Sequence, residues 1–467
     1  MRTYDLLPEA IVVAAALGLL LVGRVRRLED LRWRPWAALL AAVAALGAEL
    51  WLGATVGTLF GGGWGQDRFS LFAKAALLLG LVTLVASADW DDELTWETAP
   101  LAFLAVFAGM VAASATSLVG LWAGLELAAL AGVAAAGLRA RQTSSLRIQG
   151  IRLLVTSGVA AALVTFGFAY LYAMAGDASL LELRRALLGQ PATLSLALAV
   201  LVMLAGVAVR LGLAPFHAPT VEGTAVAPSA AAAVLGGLVV GVAALVAAKL
   251  LAALTGVNPA WSTWLAWVAA FAMVVSGLRA IAASSLRTLV AWLVVAQVGW
   301  VAAALAIHDQ RGGAAALFLL GALLLSAAAA PVLAPGVEAS GGPAGLARRD
   351  PLRAAGLGLA LLSLAGAPPL AGFFGEFTVA AELIRSGLGW LLGAGLLGWM
   401  MAVAAVVRSL RAFYLESGLV ETRRGPRVAT SWTVGAVVPG LLAIAYGLFA
   451  YPIHDLAIQG AAALGLR

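Results

Sequence analysis

The chain has 467 residues, of which 63% are apolar and 11% charged, with a mean hydropathy of +1.00. Soluble globular chains carry about 45–50% apolar and about 25% charged residues, so this composition excludes a water-soluble protein. The absence of cysteine excludes disulfides, cysteine-ligated zinc and thiolate-ligated iron–sulfur clusters, and three widely separated histidines disfavour a metal cluster or haem. The net charge of +6 is scattered between apolar segments, which argues against nucleic-acid binding.

Apolar runs bounded by charged or turn residues predict an all-α, polytopic membrane protein with about fourteen spans. Long runs such as 226–254 do not alternate in polarity, as the strands of a membrane barrel would. Three glycines at 61–63 predict a turn and not a phosphate loop, because no GK[ST] follows. The predicted helices are 9–23, 36–60, 69–87, 99–114, 117–138, 150–175, 193–213, 226–254, 260–283, 287–307, 314–333, 354–380, 387–407 and 429–450.

Most of the 29 lysines and arginines fall in alternate loops, which predicts the side of the membrane on which each loop lies. The positive-inside rule then predicts that both chain termini lie on the outer, non-cytoplasmic side of the membrane. The segment 177–189 has leucines opposite charged residues and predicts a short amphipathic helix in the membrane interface. The basic loops lie near 24–34, 139–152, 279–287, 348–353 and 408–427.

Among the charged residues within or beside predicted spans, where an ionised side chain costs roughly 2.5–3.5 kcal/mol even on a lenient scale, three positions stand out. Glu126 lies near the middle of LVGLWAGLELAALAG, Arg210 lies in VAVRLGLAPFHAPT, and Glu376 lies in AGAPPLAGFFGEF. Prolines and glycines must break the last two helices, and a break at membrane depth is tolerated only inside protein or beside water. Both breaks therefore predict an internal hydrated path.

Each of these residues also has a purely structural explanation. Glu126 is interpreted as functional, although a neighbouring arginine could simply satisfy its charge. Arg210 is equally consistent with a side chain that snorkels from a helix end. His217, beside the same break, is interpreted as a proton relay because its usual pKa is near neutrality, with capping of free carbonyls as the alternative.

The stretches LWAGLELAAL, VRLGLAPFHAPT, SSLRTLVAWLVVAQVGW and DPLRAAGLGLALLSLAGAPPLAGFFGEF, in this order, resemble the antiporter-like membrane subunits of respiratory complex I, most closely the subunit N group. The resemblance runs from about residue 69 to residue 414. It implies fourteen helices with two inverted five-helix repeats, each containing a broken helix. The implied division is 1–98 for helices 1–3, 99–254 and 255–407 for the repeats, and 408–467 for the last helix and tail.

Family roles carry over at matching positions. Glu126 falls on the glutamate of the fifth helix, Arg152 on a lysine of the sixth, and Arg210 on the proton-binding lysine of the broken seventh. Glu376 falls on the charged residue of the broken twelfth helix, and the lysine of the eighth helix is replaced by Leu238. Arginine keeps its proton where a buried lysine can release it, so Arg210 is expected to tune Glu126 and not to carry protons itself.

The resemblance implies a proton-translocating subunit of a complex I-type NADH:quinone oxidoreductase in a bacterial inner membrane. We expect Glu126, Arg152, Arg210, His217 and Glu376 to form the proton pathway. Partner membrane-arm subunits surround the chain, and other subunits carry the FMN and iron–sulfur clusters and bind quinone; no cofactor is expected in this chain. Two alternatives stay open: a subunit of a multisubunit cation/proton antiporter, and a structural subunit that no longer pumps.

Overall fold

The computed structural model describes residues 3–24, 33–53, 57–88, 90, 93–138, 144–188, 193–255, 260–339, 341–416 and 430–466. Parts of the basic loops that predict the orientation, at 25–32, 139–143 and 417–429, lie outside the described residues. The helices are α1 Leu7–Arg24, α2 Arg34–Leu52, α3 Arg68–Ser87, α4 Glu93–Ser114, α5 Leu118–Gly137, α6 Ser144–Ala175, α7 Leu180–Leu187, α8 Leu194–Leu211, α9 Ala218–Val226, α10 Ser229–Ala233, α11 Val240–Ala253, α12 Ala260–Ile281, α13 Leu286–Ala306, α14 Gln310–Ala339, α15 Leu346–Arg349, α16 Pro351–Leu364, α17 Ala371–Arg385, α18 Gly389–Tyr414, α19 Thr430–Leu448 and α20 Ala450–Ala463.

The described residues confirm an all-α membrane architecture but not the exact number of spans. Eleven helices are long and apolar enough to cross a bilayer, or twelve if the bent pair α19–α20 is one span. Every predicted segment overlaps at least one described helix, although the bounds differ. The α1 and α16 helices are apolar but shorter than a typical span. A count of fourteen therefore stays a prediction, as do the domain boundaries.

The predicted helix 36–60 is wrong at its carboxyl end. The α2 helix stops at Leu52 because Gly53 adopts a left-handed φ of 62°, which ends the helical hydrogen-bond pattern. A small antiparallel hairpin follows, with β1 at Gly57–Leu59 and β2 at Trp64–Gln66. The glycine turn predicted at 61–63 joins these two strands. The hairpin therefore carries the chain from the end of α2 to the start of α3.

Three long segments form the centre of the protein. Residues 230–254 of the continuous α10–α11 helix, which contains a π-helical turn at Val234–Val239, are all buried. Residues 289–307 around α13 and 312–334 of α14 are also buried without interruption. Exposed apolar side chains lie on the outer helices instead, including Leu40 on α2 and Val155 on α6. Such an outward apolar surface is stable in lipid and unstable in water.

Two spans are broken where the sequence predicts it. The α8 helix ends at Leu211, and α9 begins only at Ala218. The α16 helix ends at Leu364, and α17 begins at Ala371. Gly212 and Gly366 follow these first halves with φ angles of 68° and 64°, a left-handed conformation that only glycine adopts without strain. One break falls in each of the two predicted repeats.

The predicted amphipathic segment is confirmed as α7. Its Leu183 and Leu187 are fully buried, whereas Arg185 forms an exposed ion pair with Glu182 at 2.5 Å. Arg184 donates a hydrogen bond to the Gly465 carbonyl, which ties α7 to the last residues of the described chain. The location of α7 in the membrane interface stays a prediction.

Candidate proton-transfer site

A buried ion pair joins α5 to the broken helix α8–α9. Arg210, in the last turn of α8, places Nη2 2.5 Å from Oε2 of Glu126. The two side chains are only 5% and 14% exposed. The sequence interpretation expected these residues to meet, and the structure brings them together. Ion pairing offsets the large cost that either charge would have alone at this depth.

The pair is incompletely satisfied. The Arg210 guanidinium also donates from Nη1 to the Ser157 hydroxyl on α6, so three helices meet at this group. Its Nε and the Oε1 atom of Glu126 are buried without a hydrogen-bond partner. A buried carboxylate with one free oxygen is sensitive to any displacement of its cation, because little else stabilises the negative charge.

The second broken helix holds a carboxylate in a different environment. Glu376, in the second turn of α17, is buried and accepts a hydrogen bond of 2.6 Å from Nε2 of Gln297 on α13. Among the described residues, this neutral amide is the only hydrogen-bond partner of the Glu376 carboxylate. The carboxylate forms no salt bridge with any described residue. The apolar enclosure therefore favours the neutral, protonated carboxyl.

Gln297 also compensates for the break itself. The same Nε2 atom donates to the Leu364 carbonyl at 2.8 Å, and this carbonyl ends the first half-helix. A carbonyl freed by a break in a membrane helix needs another donor. Gln297 thus links the broken backbone to the Glu376 carboxylate. The sequence interpretation missed this residue because an uncharged glutamine in an apolar span lacks the signal that an ionisable side chain gives.

His217 lies at the start of α9, immediately after the first break. Its ring packs against Trp292 of α13 with a centroid separation of 4.7 Å, and its Nδ1 atom is buried without a partner. The guanidinium of Arg279 also lies over the Trp292 ring, 5.3 Å from its centroid. A relay role for His217 stays a prediction.

Arg152 lies apart from the Glu126–Arg210 pair. It forms an ion pair of 3.1 Å with Glu222 of α9, in which the two side chains are 63% and 50% exposed. Exposed pairs of this kind contribute little to stability. Leu238, in the π-helical turn, is fully buried among apolar neighbours. The position of the family's eighth-helix lysine therefore offers no titratable group in this chain.

The sequence interpretation also missed several polar contacts that only tertiary packing brings together. Arg287 of α13 donates to the Ala227 carbonyl at 3.1 Å and forms a partly exposed pair with Glu338 of α14 at 3.3 Å. Lys249, buried on α11, donates to the Ala113 carbonyl in the last turn of α4 and to the Ala115 carbonyl just after it. These two bonds satisfy carbonyls that the end of a helix leaves free.

Comparison with known proteins identifies the family. Residues 115–402, which contain both breaks and both buried carboxylates, match the transmembrane family described as NADH:quinone oxidoreductase/Mrp antiporter. The chain belongs to this family. The NADH-quinone oxidoreductase subunit N of Rhodospirillum rubrum is 29% identical over 433 residues, covering 88% of this chain and 87% of the relative. The resemblance to the subunit N group is therefore confirmed.

Solved structures extend the likeness to the whole chain. A chain of respiratory complex I from Thermus thermophilus, solved with bound aureothin, is 26% identical with a TM-score of 0.77 and covers 97% of this chain and 99% of its own. A chain of the Mrp complex from Dietzia sp. covers 99% of this chain and 98% of its own with a TM-score of 0.83 at 18% identity. The second likeness concerns the fold alone. Both solved chains thus share this arrangement of helices.

Proposed function

We propose that this chain is a proton-translocating membrane-arm subunit of a complex I-type NADH:quinone oxidoreductase. Electron transfer takes place in partner subunits, which hold the FMN and iron–sulfur clusters and bind quinone. The chain has no cysteine thiolates for an iron–sulfur cluster. The Glu126–Arg210 pair beside a broken helix carries the proposal, because it places a titratable carboxylate under the control of one cation in the membrane interior.

The mechanism is a change of pairing. While Arg210 stays beside Glu126, the carboxylate is stabilised as an anion. When a rearrangement transmitted from a partner subunit moves the guanidinium away, the buried anion becomes costly and takes up one proton. Return of Arg210 restores the pair and expels that proton. Arg210 itself stays charged throughout, since arginine does not release its proton in proteins.

The remaining groups extend the path in this proposal. Glu376 is the proton-carrying carboxyl of the second half, held by Gln297 beside the second break. His217, with its free Nδ1 atom, serves the first break, and Arg152 lies at the exposed end of the first half. Since no titratable side chain occupies position 238, water must bridge that interval.

The Glu126→Gln variant tests the role of the ion pair. The amide keeps the shape of the carboxyl but cannot take up and release a proton, so we expect the intact complex to keep NADH oxidation in uncoupled membranes and to move fewer protons per electron pair. Proton uptake and release are measured in sealed vesicles during NADH oxidation. The matched control is Glu182→Gln, which changes an exposed carboxylate on α7 outside the path.

The outcomes separate the three functions. A lower proton-to-electron ratio in Glu126→Gln alone supports pumping by this chain. A ratio equal to that of the wild type contradicts it and leaves a structural subunit. Sodium-dependent proton flux in vesicles that contain the assembled subunits but neither NADH nor quinone favours a cation/proton antiporter, the alternative that the shared fold with the Mrp complex of Dietzia keeps open.

A further inference from the structure

A second group of buried charges lies in the first three helices, outside the residues assigned to proton transfer. Glu9 in the first turn of α1, Glu49 in the last turn of α2 and Lys74 in the second turn of α3 meet at one end of these helices. Gln66 of strand β2 reaches into the same place. We name these four residues the hairpin cluster, because the β1–β2 hairpin contributes its central amide.

The hairpin cluster is bonded in a fixed order. Lys74 Nζ lies 2.6 Å from Oε1 of Glu9 and donates to Oε1 of Gln66 at 2.6 Å. Nε2 of Gln66 then donates to Oε1 of Glu49 at 2.7 Å. The amide thus accepts from the ammonium and donates to the carboxylate, which fixes its orientation. Lys74 also lies 5.0 Å from the centroid of the Trp64 ring, a favourable cation–π position.

The charges in this cluster do not balance. Two carboxylates face a single ammonium, and all four side chains are buried, with Lys74 and Glu49 fully inaccessible. The charged groups that act on Glu49 are Lys74, which favours its ionised form, and Glu9, which opposes it. With both carboxylates ionised, the cluster would carry one uncompensated negative charge in an apolar interior, which costs several kcal/mol.

Glu49 is the carboxylate positioned to receive a compensating proton. The Oε2 atoms of Glu49 and Glu9 are both buried without a hydrogen-bond partner, but Glu9 has the Lys74 ammonium 2.6 Å from its Oε1, whereas Oε1 of Glu49 is occupied by the neutral Gln66 amide. A proton on Oε1 would face the N–H of Gln66, so it must reside on Oε2, where Oε1 can still accept the amide hydrogen bond. When two carboxyl groups share one site and one cation, the repulsion between the two negative charges favours protonation of one of them.

From this geometry we propose that the hairpin cluster is a second proton-binding site, which holds one exchangeable proton on Glu49. A hydronium ion gives one proton to Oε2 of Glu49: an O–H bond forms on the carboxylate, one O–H bond of the hydronium breaks to leave water, and the cluster becomes neutral. The site is independent of the Glu126–Arg210 pair and does not require that pair to pump. It lies at the ends of three helices, next to strand β2, which contributes Gln66.

Infrared spectroscopy of the assembled, resting complex tests this charge count without turnover. Protonated carboxyl groups absorb at a C=O stretch that is separate from ionised carboxylates and shifts in D₂O. We expect Glu49→Gln to remove the signal of one protonated carboxyl group. Glu9→Gln should also remove one, because Lys74 alone then neutralises Glu49. Lys74→Met should instead add one, because both carboxylates then lack a cation.

Glu182→Gln is the matched control, since its carboxylate lies on the surface in an ion pair with Arg185, away from the hairpin cluster, and the substitution should leave this signal unchanged. An unchanged carboxyl signal in either Glu49→Gln or Glu9→Gln overturns the proposal. If Glu49→Gln fails to assemble, Glu9→Gln and Lys74→Met still give opposite expected changes. The measurement is made without electron transfer, so its result does not depend on whether Glu126→Gln alters proton pumping.

Discussion

Glu126 and Glu376 are both buried beside broken helices, but their partners differ in charge. Glu126 has the guanidinium of Arg210, and Glu376 has the amide of Gln297. A cationic partner favours the ionised carboxylate, whereas a neutral amide in an apolar enclosure favours the protonated form. In the proposed path, Glu126 is therefore the ionised carboxylate at rest and can accept a proton. Glu376 is the protonated carboxyl and can donate one.

The Gln297→Leu variant should destabilise the second half. Leucine removes the donor to both the Glu376 carboxyl and the Leu364 carbonyl, and each unsatisfied buried acceptor costs about 1–3 kcal/mol. We expect a lower temperature of thermal inactivation for the assembled complex. Gln459→Leu is the control, since its amide bonds Asp455 near the surface. Equal inactivation temperatures in the two variants would contradict the structural role of Gln297.

The broken helices are short, rigid joints and not loose loops. In each, a left-handed glycine ends the first half and allows close approach to the second. A Cβ at Gly212 would meet the Thr220 side chain, and a Cβ at Gly366 would meet the Glu376 carboxylate. The second contact couples the backbone of the break directly to the carboxyl group that carries the proton of the second half in the proposed path. Movement of the break and movement of that carboxylate are therefore linked.

The Gly366→Ala variant tests this link. A left-handed alanine costs roughly 1–2 kcal/mol wherever it is placed, and here its methyl group would also displace Glu376. We expect proton translocation to fall strongly, measured as the proton-to-electron ratio in vesicles. Gly387→Ala controls for the conformational cost of alanine at a positive φ. Gly387 has a φ of 76°, and no atom lies within 4 Å of the methyl group that alanine would add. Similar loss in both variants would show that backbone strain alone is responsible.

The complete molecule is a membrane protein whose apolar outer surface faces lipid or partner subunits. Its orientation rests on the distribution of basic residues, which predicts both termini outside. Segment 177–189 is then outside, and the end of α18 is inside. The natural absence of cysteine makes this prediction simple to examine with introduced cysteines.

Single cysteines at Asp177 and Glu416, both exposed, should react differently with a membrane-impermeant maleimide added to intact cells. We expect labelling of the Asp177→Cys variant and none of Glu416→Cys until the membrane is opened. Labelling of both variants after permeabilisation is the control for thiol accessibility. The opposite pattern in intact cells would reverse the predicted orientation.

Much of this architecture could be predicted because the relevant signals are local. Apolar length predicts the helices, and Pro215 or Pro369 with nearby glycines predicts the breaks. The meeting of Glu126 and Arg210 followed from the resemblance and from the cost of isolated charges in lipid. Gln297 and the hairpin cluster could not be found in the same way. Glu9 begins a predicted helix, where polar residues are ordinary, and Glu49 falls inside the predicted helix 36–60, but only tertiary packing brings Lys74 to Glu9 and Gln66 to Glu49.

The continuous burial of α10–α11, α13 and α14 has a consequence for communication within an assembly. No neighbouring polypeptide can touch these segments along their enclosed lengths at 230–254, 289–307 and 312–334. Any mechanical influence on Gln297, which α13 carries, must first pass through the peripheral helices. The α12 and α18 helices, which pack on α13 and have exposed apolar faces, are the natural intermediaries. A neighbouring subunit that drives this chain therefore acts indirectly, by moving the outer helices relative to central helices that it does not contact.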